Sequence, residues 1–329
     1  MNGRLRRMMA TVLSGGRAAA SDAVAPTVVI TSVASSITTA AFTCTFTFSE
    51  DVTGFALGDI TVGNGTAGTF NTVSPSVYTV VITPTALGTV TVDVGAGVCV
   101  DEAGNANEAS NTFSILYMVA ALWSDKSDIT TLYQTDNTTT PVTADGQTIG
   151  YAANKSGTGN HLLQSAAGNR PLYKANIQNG KSVARADADD LLIDVIAISQ
   201  PFTIISVFKP ASITGVRQYV LCQDNFNVQM SVEAAGTIAI SAGTRIASVA
   251  TIGAAFQIVT GVYNGASSEI FLNGTSIKTG DAGANALTNV QIPFSMASDN
   301  AEHFIFSGAL TEPQRQAVEA YLNAKWSVF

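Results

Sequence analysis

Hydrophobic and polar residues alternate most strictly in Phe42-Thr43-Cys44-Thr45-Phe46-Thr47-Phe48, with aromatics and cysteine on one face and threonine on the other. That period of two belongs to a half-buried strand. Tyr78 to Thr83 and Thr89 to Val94 alternate in the same way. Val28 to Ile30 and Ile60 to Val62 are shorter, Asn111 to Leu116 closes the set, and Gly63-Asn64-Gly65 is a strong turn signal. About seven short strands in some ninety residues predict a two-sheet antiparallel sandwich. From Tyr117 onward the strand candidates are Phe202 to Phe208, Gln218 to Cys222, Val228 to Val232, Ile238 to Ile240, Phe256 to Tyr263, Glu269 to Leu272 and His303 to Phe306. Asn264-Gly265 and Asn273-Gly274 read as hairpin turns. One helix ends the chain: Thr311 is its N-cap with Gln314 three residues on, and Val318, Tyr321, Leu322 and Trp326 line one face.

Composition sharpens this all-β reading. Hydrophobic residues make up 46% of the 329 residues and charged residues only 12%. Two packed cores are affordable, with a surface built from Thr, Ser, Asn and Gly. The net charge of -8 is unevenly spread. Arg4, Arg6, Arg7 and Arg17 make residues 1–25 basic, whereas residues 26–116 hold seven acidic residues and no Lys or Arg. An acidic body offers no footprint for a phosphate backbone, so nucleic acid is not an expected partner. The basic start lacks the apolar middle of a signal peptide, and no run of about 18 apolar residues suggests a membrane span. Synthesis in a cytoplasm and use without the general export route is the expectation. Cys44, Cys99 and Cys222 are too few for a disulfide framework. Cys44 and Cys99 could bridge two sheets, and the plainer reading is three small buried apolar residues.

The runs Ala25-Pro26-Thr27-Val28-Val29-Ile30-Thr31, Phe46-Thr47-Phe48-Ser49-Glu50-Asp51-Val52-Thr53-Gly54-Phe55 and Asp59-Ile60-Thr61-Val62, followed by Val100-Asp101-Glu102-Ala103-Gly104-Asn105 and Ala109-Ser110-Asn111, resemble bacterial Ig-like modules of surface adhesins and phage structural proteins. The resemblance implies a spacer without catalysis. The second half resembles the concanavalin A-like (laminin-G-like) jelly roll through Leu122-Trp123-Ser124-Asp125, Thr143-Ala144-Asp145-Gly146-Gln147 and Asn154-Lys155-Ser156-Gly157-Thr158-Gly159-Asn160-His161. Asn169-Arg170-Pro171, Asp187-Ala188-Asp189-Asp190-Leu191 and the terminal Gly308 to Trp326 continue the series. This resemblance implies carbohydrate or surface binding. The expected organisation is a basic anchoring arm over 1–25, an Ig-like domain over 26–116 and a jelly roll over 117–329.

Candidate chemistry is sparse. Glycoside hydrolysis needs two carboxylates flanking one bond, and no Glu-x-Asp-x-Glu run exists. Asp187, Asp189 and Asp190 read as a turn before a strand. His161 and His303 lack metal-ligand spacing, and there is no phosphate loop, nucleophile elbow or Cys-x-x-Cys. No catalytic residue and no cofactor is expected. Calcium is the one metal considered, at Asp51, Asp101, Glu102 and Asn105 with Glu50 nearby, because hard cations take such oxygens; a solvated acidic surface is the plain alternative. Trp123 and Trp326 are more readily core residues at the meeting ends of the domain than sugar platforms. Tyr133, Tyr151, Tyr173, Tyr219 and Tyr263 cannot be sorted by exposure, so no ligand site is assigned.

These readings converge on a structural protein of a bacteriophage, displayed on the virion surface as a head decoration, fibre or tail-associated fibre. Arg4, Arg6, Arg7 and Arg17 would anchor it to capsid or tail subunits. Host-surface carbohydrate and further copies of the chain are the other expected partners. A secreted bacterial adhesin or lectin is the alternative.

Overall fold

The computed structural model describes residues 22–34, 37–213, 215–293 and 295–329. The arginines Arg4, Arg6, Arg7 and Arg17, and with them most of the expected arm, lie outside the described residues.

The first unit is the expected sandwich. One sheet runs Val28–Ser32, Phe42–Phe48, Val77–Pro84, Gly65–Ser74, and the other Ile37–Thr38, Phe113–Tyr117, Gly88–Val94, Ile60–Gly63. Alternation decides which side faces in: Cys44, Phe46, Val80, Ile82, Val90 and Val92 are fully enclosed while the intervening threonines stay outside. Rings of Phe48, Phe55, Phe70 and Tyr78 meet edge-on or tilted at 5.0–5.9 Å and close one end. Gly63-Asn64-Gly65 is a crossing rather than a hairpin. Asn64, at φ 54°, carries the chain from one sheet to the other. The three cysteines are free and buried, and burial pushes the Cys44 thiol up to about 12.

The second unit stacks two large antiparallel sheets. One has nine strands in the order Leu132–Tyr133, Tyr151–Ala152, Leu162–Leu163, Leu192–Asp194, Val290–Ile292, Gln218–Cys222, Val228–Val232, Thr237–Ala242, Arg245–Thr251. The other runs Leu172–Gln178, Lys181–Ala186, Ser298–Phe306, Phe202–Pro210, Gln257–Tyr263, Ser268–Leu272, Thr275–Gly280, with Leu122–Asp125 also paired to Ser298–Phe306. The core between them includes Leu132, Leu162, Ile204, Phe208, Met230, Ile240, Tyr263 and Ile305. Asn273-Gly274, both at positive φ, forms the two-residue hairpin expected of it. Asp190 Oδ2 accepts the Asp187 N–H at 2.9 Å, so this acidic run is a turn before Leu192–Asp194.

The helix Glu312–Trp326 begins as read, with Gln314 Oε1 accepting the Thr311 N–H at 3.0 Å. It lays Val318, Leu322 and Trp326 on the outer face of the second sheet, against Trp123, Ile205, Val207, Phe304 and Phe306. Leu116 and Met118, at the end of the first unit, join this same cluster, with Ile37 and Leu87 packed beside them. Among the described residues no helix is long and apolar enough to cross a membrane.

Candidate functional site

Strand register places one row of side chains on the outside of the nine-stranded sheet. Tyr133 stands opposite Tyr151, Tyr151 opposite Leu163, Leu163 opposite Ile193, and Ile193 opposite Gln291. Directly opposed residues share a face. Their chain neighbours Leu132, Ala152, Leu162, Leu192 and Ile292 all lie in the core, so the row faces outward. The Tyr133 and Tyr151 rings meet edge-on with centroids 5.5 Å apart, and His161 continues the strip 5.1 Å from Tyr151. All three are half-buried.

Backbone and side-chain bonds hold the strip in place. Asn154 N–H donates to His161 Nδ1 at 3.1 Å. The neutral ring then carries its proton on Nε2, as a donor. Gly150 N–H donates to Tyr133 O at 2.8 Å, and a Cβ at Gly150 would sit 2.6 Å from the Thr135 carbonyl carbon. Only glycine lets the chain just before Tyr151 lie so close to the Thr135 backbone. Arg170 donates to the carbonyls of Gln164, Gln134 and Ser165 at 2.8, 3.2 and 2.9 Å. Its guanidinium is thereby committed to tying three segments together.

The row leads into a cleft of about 330 Å³ lined by Asp136, Leu163, Gln164, Ser165, Ile193, Asp194 and Val195. Leu163, Ile193 and Val195 are 40%, 36% and 76% exposed, an apolar surface left to solvent. Asp194, the next residue after Ile193, pairs with Val290 of the core and so turns to the inner side of the sheet, where one carboxylate oxygen is buried with no hydrogen-bond partner. Burial pushes its carboxyl up to about 6, against the lowering effect of the Val195 N–H.

A second group of charges was invisible in the sequence because its two central carboxylates, Asp125 and Glu302, sit in otherwise buried strands and its lysines come from distant segments. Glu302 and Asp125 face each other across paired strands. Glu302 is wholly enclosed and accepts from Trp123 Nε1 at 2.7 Å, Trp326 Nε1 at 2.8 Å, Tyr321 OH at 3.2 Å and Lys325 Nζ at 2.8 Å. Asp125 pairs with Lys325 at 2.8 Å and Lys155 at 3.1 Å, and Lys155 also reaches Asp128 at 2.7 Å. Burial pushes both carboxyls up. For Asp125 the two lysines outweigh burial and hold it down at about 2, whereas Glu302, with Asp125 beside it, stays above the usual range. Such a split resembles an acid–nucleophile pair, yet every Glu302 oxygen is occupied and sealed from solvent. Here Trp123 and Trp326 are core residues, as expected, sharing one carboxylate. On the opposite face of the same strands Lys126 is buried with Ser124 as its partner, and burial pulls its amine down to about 8. His303 bonds Ser206 Oγ through Nδ1 at 3.1 Å, and burial, with Lys126 nearby, holds its ring well below the usual range.

The acidic loops of the first unit bring together Asp22, Glu50 and Asp101, whose carboxylate oxygens lie within 4.8 Å of one another. Of the residues considered for calcium, Asp101 and Asn105 are joined: Asn105 donates through its side chain at 2.7 Å and its backbone at 2.8 Å to Asp101. Asn105 Nδ2 also donates to the carbonyls of Asp22 and Val24, so its amide acts here as a donor. Asp51 and Glu102 are exposed and outside the trio. Burial would raise the Asp101 carboxyl, but the bonds from Asn105, Gly104 and Ala103 outweigh it and hold it below its ordinary value.

Residues 22–117 match the family of the bacterial Ig-like domain. A comparison with curated protein sequences finds no match. Among solved structures, the chain is similar to Trypanosoma rangeli sialidase in complex with 2,3-difluorosialic acid, at a TM-score of 0.40 and 8% identity, covering 63% of this chain and 33% of that one. It is also similar to domain 4 of an extracellular arabinanase from Geobacillus stearothermophilus in complex with arabinotriose (TM-score 0.35, 16% identity, 59% of this chain and 95% of that one). A carbohydrate binding module from Bacillus subtilis aligns at 0.26 and 11%, covering 41% and 88%. The chain thus spans about a third of that sialidase chain. These are likenesses of architecture alone.

Proposed function

We propose that this chain is a bacteriophage virion protein displayed on the particle surface, a binding rather than catalytic molecule whose jelly roll attaches to glycans of the host surface. In this reading Arg4, Arg6, Arg7 and Arg17 hold capsid or tail subunits, the Ig-like unit is the spacer, and the nine-stranded sheet faces outward. The observation that carries the binding role is the outward strip of Tyr133, Tyr151 and His161. Aromatic faces offer an apolar body with polar rims, which suits a sugar ring's C–H face and its hydroxyls. Binding without hydrolysis is supported by the enclosure of Glu302, which a substrate cannot reach. Many copies on one particle would turn weak single-site binding into avidity.

Two measurements test this. The purified chain, immobilised as a multivalent array, should retain host-envelope polysaccharide, and Tyr151→Ala should abolish retention while leaving the melting temperature within a few degrees. Electron cryomicroscopy of the particle should place residues 1–25 against capsid or tail subunits with the jelly roll outermost. Recovery of the chain from cells or medium but never from particles would return it to the adhesin reading.

A further inference from the structure

The row that begins at Tyr133 does not end at Gln291. Gln291 stands opposite Cys222, Cys222 opposite Gln229, Gln229 opposite Ser241 and Ser241 opposite Arg245. The chain neighbours of Gln229 are Val228 and Met230, and those of Ser241 are Ile240 and Ala242. All four lie in the core, so this half of the row faces outward as well. Neighbouring strands lie about 4.8 Å apart, so the row covers about 38 Å from its aromatic end to a basic one.

At the basic end Arg217 and Arg245 flank one carboxylate, that of Glu233. Ser231 Oγ donates to Glu233 Oε1 at 2.8 Å, and Ser231 lies between the core residues Met230 and Val232, which puts the carboxylate on the outward face. Arg217 Nε lies 3.0 Å from one Glu233 oxygen and 3.1 Å from the other, and Arg245 Nη2 lies 2.7 Å from Oε2. A guanidinium carries about five N–H donors and a carboxylate about four acceptor sites. Most donors of the two arginines therefore have no carboxylate to meet. One arginine would neutralise Glu233; the second leaves a positive charge in the open, on a chain whose net charge is -8. Both arginine side chains are reachable, at 38% and 39% exposed. Arg217 also bonds the Tyr219 side chain. The Tyr219 ring stands on the same face, opposite Ser231, and the Phe226 ring lies 5.1 Å from it, 41% exposed. Repulsion from the acidic remainder of the chain is screened beyond about 8 Å at physiological salt, so the forked donors at contact distance decide what binds.

We propose that this end of the sheet is an anion subsite and that the glycan is an acidic polysaccharide. The oxyanion of one sugar, a carboxylate, sulfate or phosphate, is held by the free donors of Arg217 and Arg245. Its ring lies beside Tyr219 and Phe226, and the polymer continues along the row towards Tyr151. This inference rests on the glycan-binding reading and adds the ligand's charge, the residues that select it and the direction in which the polymer lies.

The test is calorimetric titration of the full chain with short oligosaccharides bearing a carboxylate (oligogalacturonate), a sulfate (heparin fragments) or a phosphate (phosphomannan fragments), beside uncharged cello-oligosaccharides. At least one acidic series should bind more tightly than the uncharged one, the more so at low ionic strength, and the tightest series identifies the group. Arg217→Gln and Arg245→Gln should each weaken that binding about tenfold or more. Glu233→Gln, which frees both guanidiniums from their internal anion, should keep or raise the affinity. Melting curves establish that each variant is folded. If all three variants lose stability and none changes binding, the triad only braces its strands and the inference is overturned. It is overturned equally if Glu233→Gln weakens binding as much as the arginine variants do. Uncharged oligosaccharides binding at least as tightly as the acidic ones overturn it too, and loss of that binding in Tyr151→Ala would then leave the aromatic platform standing. No binding by any series overturns the inference, and continued retention of host-envelope polysaccharide would leave the broader reading in place.

Discussion

Two buried charged residues, Glu302 and Lys126, act on the stability in opposite directions. Glu302 gathers two indoles, a phenol and an ammonium around one carboxylate, joining the strand Leu122–Asp125 to the C-terminal helix. Removing one partner of such a buried group leaves the others uncompensated. Glu302→Ala should cost about 3–5 kcal/mol in chemical denaturation. Lys126 works against the fold: its amine is pulled down to about 8, so the charged form is penalised in the folded chain. That penalty, roughly 3 kcal/mol, is complete below pH 8 and fades as pH rises toward 10.5, where the unfolded lysine also loses its proton. Lys126→Met should therefore stabilise most at pH 7 and much less near pH 10, in denaturation curves run at both. Neither residue was identifiable beforehand, because sequence gives no sign of which way a charged side chain in a strand (Glu302) or just past its end (Lys126) turns.

At the scale of elements, legibility followed alternation. Phe42–Phe48 and Val228–Val232 were plain because their side chains divide cleanly or their bounds are marked by turns. Gly65–Ser74 was missed because glycine and threonine give no two-sided pattern, and register shifts interrupt its pairing. The pairs Leu132–Tyr133, Tyr151–Ala152 and Leu162–Leu163 are too short to show any period. Those three strands display the aromatic strip. Its tyrosines were named from the sequence, but their exposure is a matter of register, which sequence does not carry. Gly150 ties this element to its role. Gly150→Ala would force the Thr135 backbone away from the chain that leads into Tyr151, so glycan binding should fall at least as far as in Tyr151→Ala, with a lowered melting temperature as well.

Across the whole molecule, the two sandwiches share a core instead of a tether. Leu116 and Met118 sit among Trp123, Val318, Leu322 and Trp326; Met118 N–H donates to Thr38 O at 2.9 Å, and Gln314 Nε2 reaches Leu87 O at 3.3 Å. Apolar surface shared in this way couples the stabilities of the units. Scanning calorimetry should show one transition for the native chain and two for Met118→Asp, which places a charge in that junction. A stiff joint suits the spacer role proposed for the first unit.

The Ig-like unit's lack of basic residues has another effect, on proteolysis. Between Arg17 and Lys126 a trypsin-like protease finds no bond to cut, whether the segment is folded or pulled open. The first such bond beyond it follows a lysine that is 1% exposed. Trypsin should therefore leave 18–126 continuous even after the Ig-like unit unfolds, and cleavage after Lys126 should report the opening of the jelly roll itself.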